Sequence, residues 1–390
     1  MNGRLGDAVN ARLGDRDQPV VATHGGNLGA VARAFDIDPR MLIDFSANIN
    51  PAGPPPGVMA VLRGAAEHPQ ILTAYPDPDA TELAAALAQG EGIAPERTIV
   101  GNGGAALLDA AIRALAPRRC ILPVPAFSEY ARALAANGAD AIPFPLRADE
   151  DFRIDAERLV AAARAEQADL CIFSNPHNPS GGVLACVNVL ALARGLAAQG
   201  CATIVDEAFV DYVPAVSIAD AIDDDEPIIV LRSLTKFYAI PGMRVGYAFA
   251  PQALAARVRA AFPSWPVGTL DQHAALAALM DDAYAIRTRL ENLREREHLA
   301  RRLTDLGCRV FPAAANFLFV DVTALGIEPE ELRTKLIRRA GIVIRTFPDD
   351  PALHGMPVVR VAVRSRADND CLVEALALSR GGSAGSARGR

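Results

Sequence analysis

The chain has 390 residues, 51% of them apolar and 22% charged, with a formal net charge of −7 and an isoelectric point near 5.5. That size allows one large or two medium domains with a substantial core, while the acidic balance and the 5% aromatic content argue against a grip on nucleic-acid backbone or stacking on bases. No apolar run approaches the ~20 residues that cross a bilayer; the N-terminus lacks the apolar stretch of a secretory signal, and the expected location is the cytoplasm, away from membranes.

In chain order, Leu28–Phe35 reads as a short helix and residues 44–56 as an extended segment rich in proline and asparagine, so the chain opens as an arm. From about Thr81, alanine-rich helices alternate with short β-branched or apolar runs at 98–100, 120–123, 170–173, 202–205 and 228–231. Such alternation predicts an α/β fold with a mostly parallel sheet covered by helices on both faces. Near Pro251 the pattern changes to a long charged helix over 282–306, followed by strands at 316–322 and 358–363, which predicts a smaller α+β domain. The expected division is an arm over 1–60 that joins the small domain, a large domain over 61–255, the small domain over 256–378 and a flexible tail over 379–390.

The six cysteines form no C-x-x-C pair and the six histidines do not cluster, so no metal site is expected. Lysine is the residue that stands out. Of 39 cationic side chains only Lys236 and Lys335 are lysine. Lys335 fits a solvated helix face. Lys236 sits among small hydroxyls, aromatics and a Pro-Gly turn, in Ser-Leu-Thr-Lys-Phe-Tyr-Ala-Ile-Pro-Gly-Met-Arg, residues 233–244. An amine can lose its proton and attack a carbonyl, which a guanidinium cannot do.

Ligands of open α/β sheets bind beyond the carboxyl ends of the strands. The segments that follow the expected strands are Gly-Asn-Gly-Gly-Ala at 101–105, Ser-Asn-Pro-His-Asn-Pro-Ser-Gly-Gly at 174–182, Asp-Glu-Ala-Phe at 206–209 and Ser-Leu-Thr-Lys at 233–236. Each has a plainer reading: a tight turn at 101–104, a turn-forming Asn178, a helix-capping Asp206. Together they supply a cradle of backbone N–H groups for a phosphate, an anion to pair with a heterocyclic cation, and an amine for a carbonyl. Those are the needs of pyridoxal 5′-phosphate (PLP).

On these motifs the chain resembles the fold-type I PLP enzymes of the class I/II aminotransferase group over nearly its whole length. Ser-x-x-Lys with an arginine eight residues on, here Ser233, Lys236 and Arg244, carries most of the resemblance. It implies that Lys236 holds the cofactor covalently, and that Ser233, Arg244 and the backbone at Gly103 and Gly104 hold its phosphate. Asp206 would pair with the pyridine nitrogen, Asn178 would bond the phenolic O3′, and Phe127 would stack on the ring. The resemblance also implies a homodimer in which Tyr75, in Tyr-Pro-Asp-Pro, reaches the phosphate of the neighbouring subunit.

Arg360, in Val-Val-Arg-Val-Ala-Val, resembles the arginine that binds a substrate α-carboxylate, and Arg345, in Gly-Ile-Val-Ile-Arg, resembles one that binds a substrate phosphate. Phe209 stands where many of the aminotransferases carry a tyrosine. The segment Thr-His-Gly-Gly-Asn at 23–27, with Asp-Phe-Ser-Ala-Asn-Ile-Asn-Pro at 44–51, is similar to that of the threonine-phosphate decarboxylases of cobalamin biosynthesis, and implies a substrate pocket containing His24, Asn48, Arg345 and Arg360. The function implied is decarboxylation of a phosphorylated amino acid. Transamination of histidinol phosphate is the alternative; Gly101-x-Gly103-x-x-Ala106 also offers a weak nicotinamide fingerprint that leaves Lys236 unexplained. A non-catalytic protein that keeps the fold is a further reading, disfavoured by the complete catalytic set.

Overall fold

The computed structural model describes residues 25–68 and 70–380. In chain order its strands are β1 (Ile43–Asp44), β2 (Thr98–Gly101), β3 (Arg119–Val124), β4 (Asp140–Pro145), β5 (Leu170–Ser174), β6 (Ala202–Asp206), β7 (Ile228–Ser233), β8 (Gly246–Phe249), β9 (Arg309–Val310), β10 (Phe317–Asp321), β11 (Ile342–Val343) and β12 (Val358–Ala362). Seven form one sheet in the order β2-β8-β7-β6-β5-β3-β4, and β8 alone runs against the other six.

Alternate residues of the central strands enter different cores, as the period of two requires. Ile172, Ile204 and Ile229 pack with Leu107, Leu108 and Tyr130 of the helices Gly103–Leu115 and Ser128–Ala136 on one face. Phe173, Val205 and Val230 pack with Leu83, Leu159 and Leu192 of the helices Thr81–Glu91, Ala156–Ala165 and Cys186–Ala197 on the other. Burial on both sides explains why these strands read as continuous apolar runs. β4 carries Pro143 and Pro145 and shows no such run, because it is an edge strand whose outer backbone needs no partner.

After Pro251 the chain builds a three-stranded antiparallel sheet, β12-β10-β9, and a two-stranded parallel pair in which β1 of the opening segment lies beside β11. The helix Asp282–Asp305 spans 24 residues. Near its start Tyr284 and Thr288 take hydrogen bonds from Asn50 Nδ2, and Arg289 Nε donates to the Asp211 carbonyl; farther along, Arg296 donates to the Ala314 carbonyl beside the small sheet.

Of the expected tail only Ser379 and Arg380 lie within the described residues. No helix among them is long and apolar enough to cross a membrane, and no group of three or more histidine, cysteine or acidic side chains there could hold a metal ion.

Candidate active site

Strand register brings the separate motifs together. Gly246 of β8 pairs with Gly101 of β2 on one side and with Ser233 of β7 on the other, while Ser174 of β5 pairs with Asp206 of β6. The segments that follow β2, β5, β6 and β7 therefore share one rim. Gly103, the first residue of the helix Gly103–Leu115, has φ +75°, and a Cβ there would lie 2.6 Å from Arg244 Nη2. A Cβ on Gly246 would lie 2.9 Å from the backbone of Gly103 and Gly104. Glycine lets the helix start come against a guanidinium, and free first-turn N–H groups beside an arginine make an anion cradle.

Lys236 Nζ donates to Ser233 Oγ at 3.1 Å, and the Asn50 N–H donates to the Lys236 carbonyl. Burial lowers the pKa of Lys236 and the Arg244 charge lowers it further, against the opposing pull of Asp206. More of the amine is therefore neutral and nucleophilic than in water. Burial raises the pKa of Asp206, and two hydrogen bonds oppose that rise: Tyr130 Oη donates to Oδ2 at 2.7 Å, and the Ala208 N–H donates to Oδ1 at 2.9 Å. The ring of Phe127 meets Tyr130 edge-on at 5.6 Å.

Arg360 Nη1 donates to Asn178 Oδ1 at 2.6 Å, and Nη2 donates to the Ser46 carbonyl at 2.9 Å. The Asn178 N–H in turn donates to Ser174 Oγ. Burial, with Arg345 nearby, pushes the pKa of Arg360 down to about 9, which leaves it charged at neutral pH. Arg345 exchanges both backbone hydrogen bonds with Arg360, so the two residues lie side by side. Neither arginine forms an ion pair among the described residues. Arg360 Nε and Asn48 Oδ1 are buried without partners among the described residues, the state expected of groups that await a polar ligand.

Lys236, Ser233, Arg244, Gly103, Gly104 and Asp206 thus gather at one rim, with Asn178 tying that rim to Arg360 and Phe127 reaching it through Tyr130. Tyr75 stands apart in the same chain: its ring is 80% exposed and stacks on Trp265 at 4.5 Å. His24 lies outside the described residues. Sequence reasoning missed three residues. Tyr130, one helical turn after Phe127, is the partner of Asp206, and the helix spacing is the only local clue to it. Glu207 and Arg232, each beside an active-site residue in sequence, form a buried pair at 2.8 Å that Ser217 and Glu91 extend.

The donor set suits PLP. An anion cradle, a half-buried carboxylate, an aromatic ring and a neutralisable lysine match its phosphate, its ring nitrogen, its ring face and its aldehyde in turn.

A family model for aminotransferase class I and II matches residues 40–376. The threonine-phosphate decarboxylase of Salmonella typhimurium is 34% identical over 359 residues, which cover 91% of this chain and 96% of that protein. The histidinol-phosphate aminotransferase of Roseiflexus castenholzii is 32% identical over 90% of this chain and 92% of its own length. Among solved structures, the histidinol-phosphate aminotransferase of Sinorhizobium meliloti in complex with pyridoxal-5′-phosphate matches with a TM-score of 0.80 and 25% identity, over 92% of this chain and 98% of that one. The mostly parallel sheet with helices on both faces is the fold-type I arrangement expected from the sequence. The chain belongs to the aminotransferase class I and II family.

Proposed function

We propose that this protein is a PLP-dependent decarboxylase that converts L-threonine O-3-phosphate to (R)-1-amino-2-propanol O-2-phosphate and carbon dioxide, a step of cobalamin biosynthesis. The observation that carries the reading is the side-by-side placement of Arg345 and Arg360, unpaired with any carboxylate among the described residues and joined through Asn178 to the rim of Lys236. Two adjacent, half-buried guanidinium groups suit a substrate with two anionic groups. The similarity to the Salmonella typhimurium threonine-phosphate decarboxylase over 91% of the chain supports it.

Bound at this rim, PLP supplies an electron-poor pyridine ring that takes up the electron pair released when a bond at the substrate α-carbon breaks. The chain supplies the rest. Ser233, Arg244 and the first-turn amides of Gly103 and Gly104 hold the cofactor phosphate. Opposite the ring nitrogen, the hydrogen bonds that Tyr130 and Ala208 donate to Asp206 favour its anion against the effect of burial. Phe127 covers one ring face. Asn178 gives its Oδ1 to Arg360, which leaves Nδ2 to donate to O3′. Arg360 and Asn48 hold the substrate carboxylate, Arg345 holds its phosphate, and His24 joins the pocket by resemblance. When the bond from Cα to the carboxylate breaks and carbon dioxide leaves, Lys236 Nζ delivers the proton that Cα takes in its place.

Transamination of histidinol phosphate is the second reading, supported by the Roseiflexus castenholzii relative. Phe209 weighs against it, since it lacks the hydroxyl that a tyrosine would offer to O3′. In the proposed assembly the chain divides into an arm through residue 60, a large domain over 61–255 and a small domain over 256–378; the pairing of β1 with β11 supports an arm that joins the small domain. Two copies form a cytoplasmic homodimer in which the exposed Tyr75 reaches the partner's cofactor phosphate.

Paired assays on the PLP-loaded protein test the function: carbon dioxide release from L-threonine O-3-phosphate, and glutamate formation from histidinol phosphate with 2-oxoglutarate. Carbon dioxide without glutamate supports the decarboxylase. Glutamate without carbon dioxide transfers the chain to the aminotransferases and leaves the cofactor site intact.

A further inference from the structure

The two substrate arginines lie on aromatic rings. Arg360 Cζ is 5.3 Å from the centre of the Phe317 ring, and Arg345 Cζ is 5.4 Å from that of Phe347. Behind these rings stand two more. Phe209 meets Phe317 at 5.0 Å and 75°, and Phe319 meets Phe347 at 5.7 Å and 82°. Backbone register explains the grouping. Arg345 bridges Arg360, Arg360 pairs with Phe319 across β12 and β10, and Phe317 is two residues along β10 from Phe319. Directly opposed residues share a sheet face, as do residues two apart on one strand, so Arg345, Arg360, Phe317 and Phe319 lie on one face, and Phe347 joins them through its contacts with Arg345 and Phe319.

A buried arginine is usually held by a carboxylate, which neutralises it. A ring under the guanidinium stabilises the cation through its quadrupole, keeps the charge, and leaves the N–H edge free for an anion. We propose that Phe317 and Phe347 are positioning residues that seat Arg360 and Arg345, and so make this site specific for a substrate with two separate anionic groups. The inference rests on the proposed function for the identity of that substrate. It assigns the seat at Phe347 to the phosphate and the seat at Phe317 to the carboxylate. Phe209 gains a purpose here beyond its missing hydroxyl: it buttresses the carboxylate seat through Phe317.

The test uses the PLP-loaded full chain and its variants Phe347→Leu, Phe347→Tyr and Phe317→Leu. Isothermal calorimetry with inorganic phosphate reads the phosphate seat directly. Phe347→Leu should weaken phosphate binding about tenfold, the worth of one partly desolvated cation–π contact. Phe347→Tyr keeps a ring face and should bind like the wild type. Phe317→Leu should leave the phosphate constant unchanged and raise KM for L-threonine O-3-phosphate, with kcat within about twofold of the wild type. Phe317 is fully buried, so if Phe317→Leu does not fold, the half-buried Phe347 series decides alone. Undiminished phosphate binding in Phe347→Leu, equal weakening in Phe347→Tyr, or no phosphate binding by the wild type would overturn the inference. The predicted phosphate pattern without any carbon dioxide release would keep the seats and discard the decarboxylase reading.

Discussion

Replacing Tyr130 by phenylalanine removes one oxygen and nothing else. Tyr130 is 1% exposed, its ring packs with Phe127, and its hydroxyl donates to Asp206 Oδ2 at 2.7 Å. The isosteric ring opens no cavity to speak of. What is lost is a hydrogen bond to a half-buried, charged acceptor, worth about 1.5–3 kcal/mol. Burial already works against the Asp206 anion, and after the substitution only the Ala208 N–H and the Lys236 charge remain among the forces that favour it. If Asp206 pairs with the ring nitrogen of PLP, that deficit passes into cofactor affinity, and the dissociation constant rises roughly ten- to hundredfold. The direction with pH follows from the same cause. A carboxylate with a higher pKa keeps its charge only at higher pH, so the acid limb of kcat/KM moves upward. Fluorescence titration of the apo protein with PLP, together with pH profiles of both forms, measures the two effects. Unchanged cofactor affinity with an unmoved acid limb would refute the role given to Asp206 as well as the one given to Tyr130.

Lys236→Ala should abolish turnover and the visible absorbance of the lysine-linked cofactor; a fully active variant would remove the amine from the mechanism. Arg232→Met strands Glu207, which is wholly buried, with Ser217 Oγ and the Ile218 N–H as its remaining partners, and should cost about 3–5 kcal/mol in urea unfolding monitored by circular dichroism. Burial pushes the pKa of His177 down to about 4, so between pH 6.5 and 4 the unfolded chain takes up a proton that the native site refuses. Native stability should therefore fall by about 3 kcal/mol across that window, and a His177→Asn variant should show a shallower decline; equal slopes for the two proteins would refute the assignment.

The positions proposed to face the cofactor were legible because each follows an apolar run in sequence. Gly103, Asn178, Asp206 and Lys236 are found by asking what comes after a strand, and the scarcity of lysine singles out the last. What escaped was set by pairing between distant segments. β8 offers only four residues with no clear pattern, yet its Gly246 closes the row between Gly101 and Ser233. Tyr130 and Asp206 are 76 residues apart, and no local spacing announces their hydrogen bond. The sequence marks Arg345 and Arg360 separately; that they lie side by side depends on a backbone bridge, and that Phe317 lies under Arg360 depends on the register of β10 with β12. Prolines in β4 hid a strand because they break the usual signs without breaking an edge.

The helix Asp282–Asp305 has a mechanical side. At 1.5 Å per residue its 24 residues make a rod about 36 Å long. It is pinned near one end by Asn50 and the Asp211 carbonyl, and farther along by the Ala314 carbonyl. A stiff rod pinned in this way acts as a lever: a tilt of about 5° at its first turn sweeps its last by roughly 3 Å. Asn50 also grips the carbonyl of Lys236, so the fulcrum of the lever and the backbone at Lys236 are held by one side chain and its own main chain.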